Sequence, residues 1–506
     1  MKRHLQDFSL DSDSFKRLTQ KPNPSSYTMN AFTKFHLSSC FMIVLSIGSA
    51  YAAASGGSPS TKPNIIFILS DDQSYETVRA FGHTDIDTPN LDRLAASGTT
   101  FTHAYNMGSY SPAVCIASRA MLMSGRTIWR SAANERQREA GRLWPQRMAA
   151  AGYETYFTGK WHIEADVSKC FDHSTNVRAG MPKDSPQGYE RLLPGKSDPW
   201  NPSDQKFGGH WQGGKHWSEV LGDDSIDFLR LAAKSEKPFF MYLAFSAPHD
   251  PRQSPKEYVD RYPLDRIKVP ENFLPEYPQS EQIGSGRKLR DERLAPFPRD
   301  PNSVKLNRRE YYAIITHMDT QVGRILDALE KSGKADNTWI LFTSDHGLAV
   351  GHHGLMGKQN MHDPSLRVPF IVSGPGVKAG AKIAAPIYLQ DAMATALDLA
   401  AADSKEVDFQ SIRPLLAGEG KGLDAVYLAY LDLQRAVIQD GWKLILYPKA
   451  KITKLYHLTE DPQEMKDLAS DPAMTARKKA LFAKFRELQK RHNDKLKLDA
   501  SFPELM

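Results

Sequence analysis

Five short runs of apolar, β-branched or aromatic residues punctuate this chain: Asn64–Leu69 (NIIFIL), Tyr153–Thr158 (YETYFT), Pro238–Phe245 (PFFMYLAF), Trp339–Thr343 (within NTWILFTS) and Val368–Ser373 (VPFIVS). Most are continuous rather than alternating, the pattern of strands covered on both faces. Between them lie segments with helical period: Pro89–Ser97, with Thr88 as a cap, Asp224–Lys234, and Arg309–Ser332, which Gly333 ends. Strands alternating with helices predict an α/β fold, a large mainly parallel mixed sheet sandwiched by helices. Residues 247–308 break the pattern. They are rich in Pro, Arg, Asp and Glu, show little periodicity, and read as a long surface excursion facing a ligand rather than the core. Beyond a helix-like Pro386–Ala401, short or alternating apolar segments (AVYLAYL, RAVIQDGWKLILYP, KLYHL) predict an antiparallel sheet, then an amphipathic helix around Met474–His492. The expected organisation is an α/β domain over 60–402 and a smaller C-terminal α+β subdomain over 403–506.

The N-terminal region has a different texture. Residues 29–54 place Lys34 and His36 before an apolar stretch around Cys40–Ile47, followed by Ala50-Tyr51-Ala52. That is the layout of a signal peptide over 29–52, too short in its apolar part to span a membrane. Leu37-Ser38-Ser39-Cys40 resembles a lipoprotein box but lacks an apolar run in front of it. Residues 1–28 read as an extension upstream of the true start, so the mature chain is expected to begin near Ala53 and to be exported, periplasmic or secreted. Residues 1–52 carry six Lys/Arg and three Asp/Glu, which lowers the net charge from +6 to +3. Such a balance offers no general field for nucleic acid or anionic membrane, and no other stretch is apolar enough to span one. The mature chain keeps Cys115 and Cys170, which could pair, although a chain this long does not need a single staple.

The polar residues are informative by position. NIIFIL runs into Ser70-Asp71-Asp72, YETYFT into Gly159-Lys160-Trp161-His162, FFMYLAF into Ser246-Ala247-Pro248-His249-Asp250, and WILFT into Ser344-Asp345-His346-Gly347. In an open α/β sheet the carboxyl ends of the strands form the ligand edge, so four such clusters point to one convergent site. Asp71, Asp72, Asp345 and His346 form a candidate divalent-metal set. Its ligands are mostly oxygens, which favours Ca²⁺, while His346 leaves room for other metals. Lys160, His162 and His249 add cations and proton donors, and Lys358, in the glycine-flanked GKQN, suits an anion contact. His352 and His353 follow the metal motif without an evident role.

Cys115 precedes a short helix expected over Ser118–Met123, with Gly125 as its terminator. At that helix start, backbone N–H groups and the dipole favour negative charge. A disulfide half, an apolar filler, a thiol nucleophile and the precursor of another group are all compatible with this placement.

Taken with their order, these motifs resemble the type I sulfatases of the alkaline-phosphatase superfamily, closest to bacterial exported carbohydrate sulfatases. The signature is Cys115-Ile116-Ala117-Ser118-Arg119 with Ser124-Gly125-Arg126, accompanied by NIIFILSDDQ, TPNLDRLAASGTTFTHAY, GYETYFTGKWH, FSAPHDP, TSDHG, GLMGKQN with RVPF, DGWKLI and LYHLTEDPQEMKDLA. The resemblance spans nearly all of the mature chain. It implies that a sulfatase-maturating enzyme oxidises Cys115 to Cα-formylglycine. Its hydrate attacks sulfur with one oxygen, activated by the metal, displacing the alcohol, and expels sulfate with the second. It further implies Asp71, Asp72, Asp345 and His346 as ligands of one ion, with residue 115 joining them, and Arg119 and Lys160 as holders of the formylglycine. His162 is then the base for sulfate release, while His249 and Lys358 bind the sulfate and His249 donates the leaving-group proton. Two departures stand out: Ala117 where Pro is commonest, and His346 where Asn is more frequent.

The implied substrate is a sulfated poly- or oligosaccharide. His210, Trp211, His216 and Trp217 in a Gly-rich loop (KFGGHWQGGKHW) are candidates to stack on a sugar, and Arg252 and Arg435 to meet a carboxylate or second sulfate. A formylglycine-dependent phosphodiester or phosphonate hydrolase on the same fold is the alternative, and a catalytically silent glycan-binding protein a third reading.

Overall fold

A computed structural model describes residues 62–506 apart from 184, 193 and 194, so the expected signal peptide and upstream extension lie outside the described residues. The strand Asn64–Ser70 is buried along its whole length. It runs parallel between Phe239–Ala244 and Thr338–Ser344, and Glu154–Lys160 and His173–Arg178 continue the sheet in parallel on one side. On the other side Phe370–Ser373 pairs antiparallel with both Thr338–Ser344 and Thr99–Phe101, and Ala381–Ile383 closes the edge. The result is an eight-stranded, mainly parallel mixed sheet.

The continuous apolar runs follow from helices on both faces. Ile65, Phe67 and Leu69 join one cluster with Leu122, Trp144 and Tyr242, whereas Ile66 and Ile68 join another with Leu94, Phe228, Ile314 and Met318. Successive side chains leave opposite faces of a strand, and here both faces are dry. Parallel pairing also sets Leu69 beside Ala244, Ser70 beside Ser344 and Gly159 beside Ala244. The carboxyl ends of four strands therefore meet on one edge.

The helix Pro89–Ser97 forms over the residues its period predicts, but Thr88 does not cap it. The amides of Asn90 and Leu91 instead donate to the Asp319 carboxylate at 3.0 and 2.7 Å, and Thr88 Oγ1 accepts from the Arg79 amide. A buried carboxylate is the stronger acceptor for a helix N-terminus, and no local pattern reveals it. The long helix begins at Pro301 rather than Arg309, capped by Asp300, and ends at Lys331. The expected helix over 224–234 is Trp217–Ala232, with His216 Nδ1 accepting from the Ser218 amide at 3.1 Å.

Near the C-terminus, Val426–Tyr430, Gln434–Gln439, Trp442–Tyr447 and Ile452–His457 form an antiparallel meander under the helix Thr475–Arg491. The two-residue strand Gly108–Ser109 joins its edge in parallel, a pairing across more than 300 positions. Val114 and Met121, from the helix carrying Cys115, share an apolar cluster with this sheet.

Residues 247–300 hold only short helical turns, Lys256–Val259 and Asp291–Leu294, and they run partly over the surface, as their composition suggests, but not throughout. Asp250, Arg252, Asp291, Glu292 and Arg299 are all buried. Among the described residues no helix is long and apolar enough to cross a membrane.

Candidate active site

Asp71 and Asp72 leave the central strand at its carboxyl end, with the Asp71 amide donating to Ala247 O at 3.0 Å. Asp72 takes a positive φ of 70°, a strained conformation held by Tyr311, whose hydroxyl donates to Asp72 O and accepts from the Ser74 amide. Asp345 leaves the adjacent strand, and its Oδ1 accepts from the Asp72 amide at 3.2 Å. Gly159 lets the neighbouring strand end close by. Its φ is +100°, and a Cβ there would sit 1.9 Å from Ala244 O.

The helix bearing Cys115 runs Val114–Ser124, longer than expected, and stops at Gly125 in the left-handed region. Cys115 lies in its first turn and is 2% exposed. Its Sγ is 3.3 Å from Asp71 Oδ1, 3.7 Å from Asp72 Oδ1, 3.3 Å from His346 Nε2 and 3.4 Å from Lys358 Nζ. One turn on, Ser118 Oγ donates to Asp345 O at 2.6 Å, and Arg119 donates to Asp345 Oδ2 at 3.0 Å and to Lys160 O at 2.7 Å. Lys160 pairs with Asp71 Oδ2, and Lys358 Nζ lies 2.7 and 2.9 Å from the Asp72 oxygens. His249 Nε2 approaches Lys358 Nζ at 3.2 Å and Asp72 Oδ2 at 3.6 Å, while its Nδ1 faces Asp250 O at 2.8 Å. Cys115 carries a free thiol and is not bonded to Cys170.

The electrostatics are those of a crowded anionic centre. Burial would raise Asp345, but Arg119, His346 and Lys160 hold it well below the usual carboxylate range. Burial pushes Asp72 well above that range in spite of Lys358. His346 is raised to about 9, since Asp72 and Asp345 outweigh its burial. His346 Nδ1 donates to Gly347 O at 2.8 Å, which directs Nε2 at Asp72 Oδ1, 3.1 Å away, and at Cys115 Sγ. An imidazole nitrogen aimed at a carboxylate oxygen calls for a proton or a cation between them. Ligand atoms of Asp72, Cys115, Asp345 and His346 all lie within 4.8 Å of one another. Two carboxylates, one imidazole and residue 115 therefore fit a divalent cation, with Asp71 Oδ1 beside them at 3.3 Å from the sulfur. His162 is half-buried with φ 57°, and burial, Lys160 and Arg119 lower it to about 3.

The residues proposed for sugar contact are placed otherwise. His210 and His216 are fully buried and stacked, ring centroids 5.1 Å apart. His210 Nε2 bonds His249 O at 3.1 Å and His216 Nε2 bonds Gln253 O at 3.0 Å. Trp211 packs edge-on against His216 at 4.9 Å, and the half-buried Trp217 carries Arg178 over its ring. Arg252 is buried against Asn307, and Arg435 is buried in an ion pair with Asp494. His210, Trp211, His216, Arg252 and Arg435 are closed off from solvent and held by the protein itself, which leaves only Trp217 of these candidates partly open. Here His210 and His216 brace the backbone that carries His249. His352 bonds Glu76 and Asn272, and His353 stacks on His362, in a separate polar cluster. No motif marks Tyr311, Asp291 or Glu292 as part of the site, whereas Ser118 and Asp250 lie within CIASR and FSAPHDP.

A model described as sulfatase matches residues 63–402, and one described as N-sulphoglucosamine sulphohydrolase, C-terminal, matches 351–491. The arylsulfatase of Clostridium perfringens is 28% identical over 453 residues, covering 80% of this chain and 90% of that protein. The N-acetylglucosamine-6-O-sulfatase of Bacteroides thetaiotaomicron is 24% identical over 518 residues, covering 86% and 87%. A solved structure in complex with its substrate, D-glucosamine-2-N,6-O-disulfate, matches with a TM-score of 0.66 at 23% identity, over 86% of this chain and 99% of that one.

Proposed function

This chain belongs to the sulfatase family of sulfuric ester hydrolases, and from that premise we propose that it removes sulfate from a sulfated carbohydrate, with residue 115 as Cα-formylglycine. The observation that carries this reading is the convergence on Cys115 Sγ of two aspartates, His346 and Lys358 within 3.7 Å. The sulfur stands in for the hydroxyl oxygen of the hydrated aldehyde. Asp71, Asp72, Asp345 and His346 would hold one Ca²⁺, which supplies Lewis-acid activation of that oxygen.

The side chains divide the remaining tasks. Arg119, anchored on Asp345 and on Lys160 O, and Lys160, anchored on Asp71, orient residue 115. Lys358 places a positive charge where the sulfuryl oxygens gain negative charge. With Nδ1 turned to Asp250 O, His249 directs Nε2 into the site, and in its imidazolium form it would hand the Nε2 proton to the leaving oxygen. His162, half-buried and close to Lys160, would take the proton that accompanies sulfate release. The carbohydrate assignment draws on what the similar proteins are named for. Export through residues 29–52, maturation of Cys115 by a dedicated enzyme despite Ala117, and a subdomain over 403–506 complete the proposal.

Peptide mass spectrometry across residue 115, on protein from its native host, tests it. Loss of sulfur with gain of a hydrazide-trapped aldehyde is expected, together with faster turnover of an aryl sulfate than of an aryl phosphodiester. An intact thiol in active protein overturns the nucleophile. A reversed preference would instead identify a phosphodiester or phosphonate hydrolase.

A further inference from the structure

The turn Arg290-Asp291-Glu292 is where the charged stretch 247–308 reaches the site. Glu292 has 0% exposure, and its carboxylate accepts from the amides of Met356 and Gly357, both at 2.9 Å. The buried Arg299 neutralises it and also donates to Glu292 O, Ala295 O and Gly354 O. Asp291 Oδ2 accepts from Gln359 Nε2 at 2.8 Å and lies 3.9 Å from Lys358 Nζ. Gly357 is fitted beneath this turn, since a Cβ there would lie 2.9 Å from Asp291 Cβ and 3.0 Å from Glu292 Oε1. Arg290 bonds Asp291 and lies 3.2 Å from Asp250, whose Oδ1 is 3.3 Å from His249 Nδ1.

We propose that Arg290-Asp291-Glu292 is a positioning element that holds Lys358 and His249 at fixed separation from residue 115. The inference rests on the reading of Lys358 as a sulfate contact. A lysine ammonium ends a four-carbon stem with much rotamer freedom, so its aim depends on the backbone beneath it. Here a carboxylate that is costly to bury secures the two amides just before Lys358, and its neighbour flanks the ammonium. Through Arg290 and Asp250 the same turn reaches the ring of His249. A charged cluster buried only for stability would have no reason to touch both groups.

A double-mutant cycle distinguishes positioning from stability. Glu292→Gln, Lys358→Ala and their combination are assayed on an aryl sulfate with Ca²⁺ present, per folded enzyme with the oxidised residue at 115 counted by mass spectrometry. Glu292→Gln is expected to lower kcat/KM by about tenfold to a hundredfold in the native background, the scale of a displaced catalytic group. On Lys358→Ala it should cost less than about threefold, because Glu292 acts through the two amides before Lys358, whereas the path to His249 runs through Arg290 and Asp250 and is left intact. Asp291→Asn, run through the same cycle, decides the question if Glu292→Gln does not fold. Equal factors in both backgrounds, or native activity in Glu292→Gln, overturn the positioning role alone. Full activity in Lys358→Ala overturns the reading of the site, and the positioning role with it.

Discussion

Lys443→Met should destabilise the protein strongly and in a pH-dependent way. Lys443 is wholly buried in the strand Trp442–Tyr447, and its ammonium bonds Met361 O, Asp363 Oδ1 and Glu464 Oε1. Glu464 Oε2 also accepts from the Asp363 amide at 2.9 Å and faces His362 Nδ1 at 3.3 Å. This cluster fastens the C-terminal sheet to the segment that follows Lys358. Methionine keeps the unbranched apolar stem, one atom shorter, and removes the charge. Breaking a buried ion pair from one side costs about 3–5 kcal/mol, a large share of the roughly 5–15 kcal/mol that holds a domain folded. The pH dependence follows from Glu464. Burial raises it, but Lys443 and His362 overcome that and hold it far below the usual range. In the native chain a depressed carboxylate contributes stability that is present above the ordinary value of about 4.5 and lost as pH falls toward the folded value. In the variant burial is less opposed, the folded pKa moves up, and stability is lost as pH rises from about 4.5. The gap between the two proteins, measured by denaturant unfolding, should be widest at pH 8 and narrower at pH 5. The pair Lys443→Met/Glu464→Gln should recover part of the loss. A deficit under about 1 kcal/mol at pH 8, or one that does not change with pH, would refute the reasoning.

Three further outcomes are expected. Trp144→Ala should cost about 3–5 kcal/mol in unfolding experiments, because this 0%-exposed ring packs within 5.0 Å of Phe67 and Phe240, whereas Trp144→Phe should cost much less. Asp391 is raised to about 7 by burial, against hydrogen bonds from the Gln410 and Tyr388 amides. A raised carboxylate loses its stabilisation as pH rises from about 4 to 7, so the unfolding free energy of the native chain, relative to that of Asp391→Asn, should fall by up to about 4 kcal/mol over that range; parallel pH profiles would contradict this. Removing divalent ions with EGTA should lower aryl sulfate turnover by at least about a hundredfold, with recovery on added Ca²⁺; recovery by Zn²⁺ and not by Ca²⁺ would reassign the metal.

Much of the architecture was legible because its causes are local. NIIFIL and WILFTS read as buried strands from their unbroken apolar character, and the acids behind them come to one edge because parallel pairing aligns carboxyl ends. Local chemistry likewise marked the helix of Cys115 and its end at Gly125. What the sequence by itself determined was therefore the central buried strands, several of the helices between them, and the set of ionisable groups at the strand ends.

Only the tertiary structure decided which polar residues are buried and what they hold. His210 and His216 look like sugar contacts in a glycine-rich loop, but they are closed in behind His249 because Gln253 O and His249 O accept from them. Asp291 and Glu292 look like solvent-facing charge, but Arg299 and the amides of Met356 and Gly357 make their burial possible. Asp319 takes the place of Thr88 at a helix start 229 positions away, and Gly108–Ser109 completes a sheet formed some 320 residues later. A charge or hydrogen-bonding group enters the interior only when a partner offsets its lost hydration, and in these cases the partner is brought by the fold rather than by the neighbouring sequence.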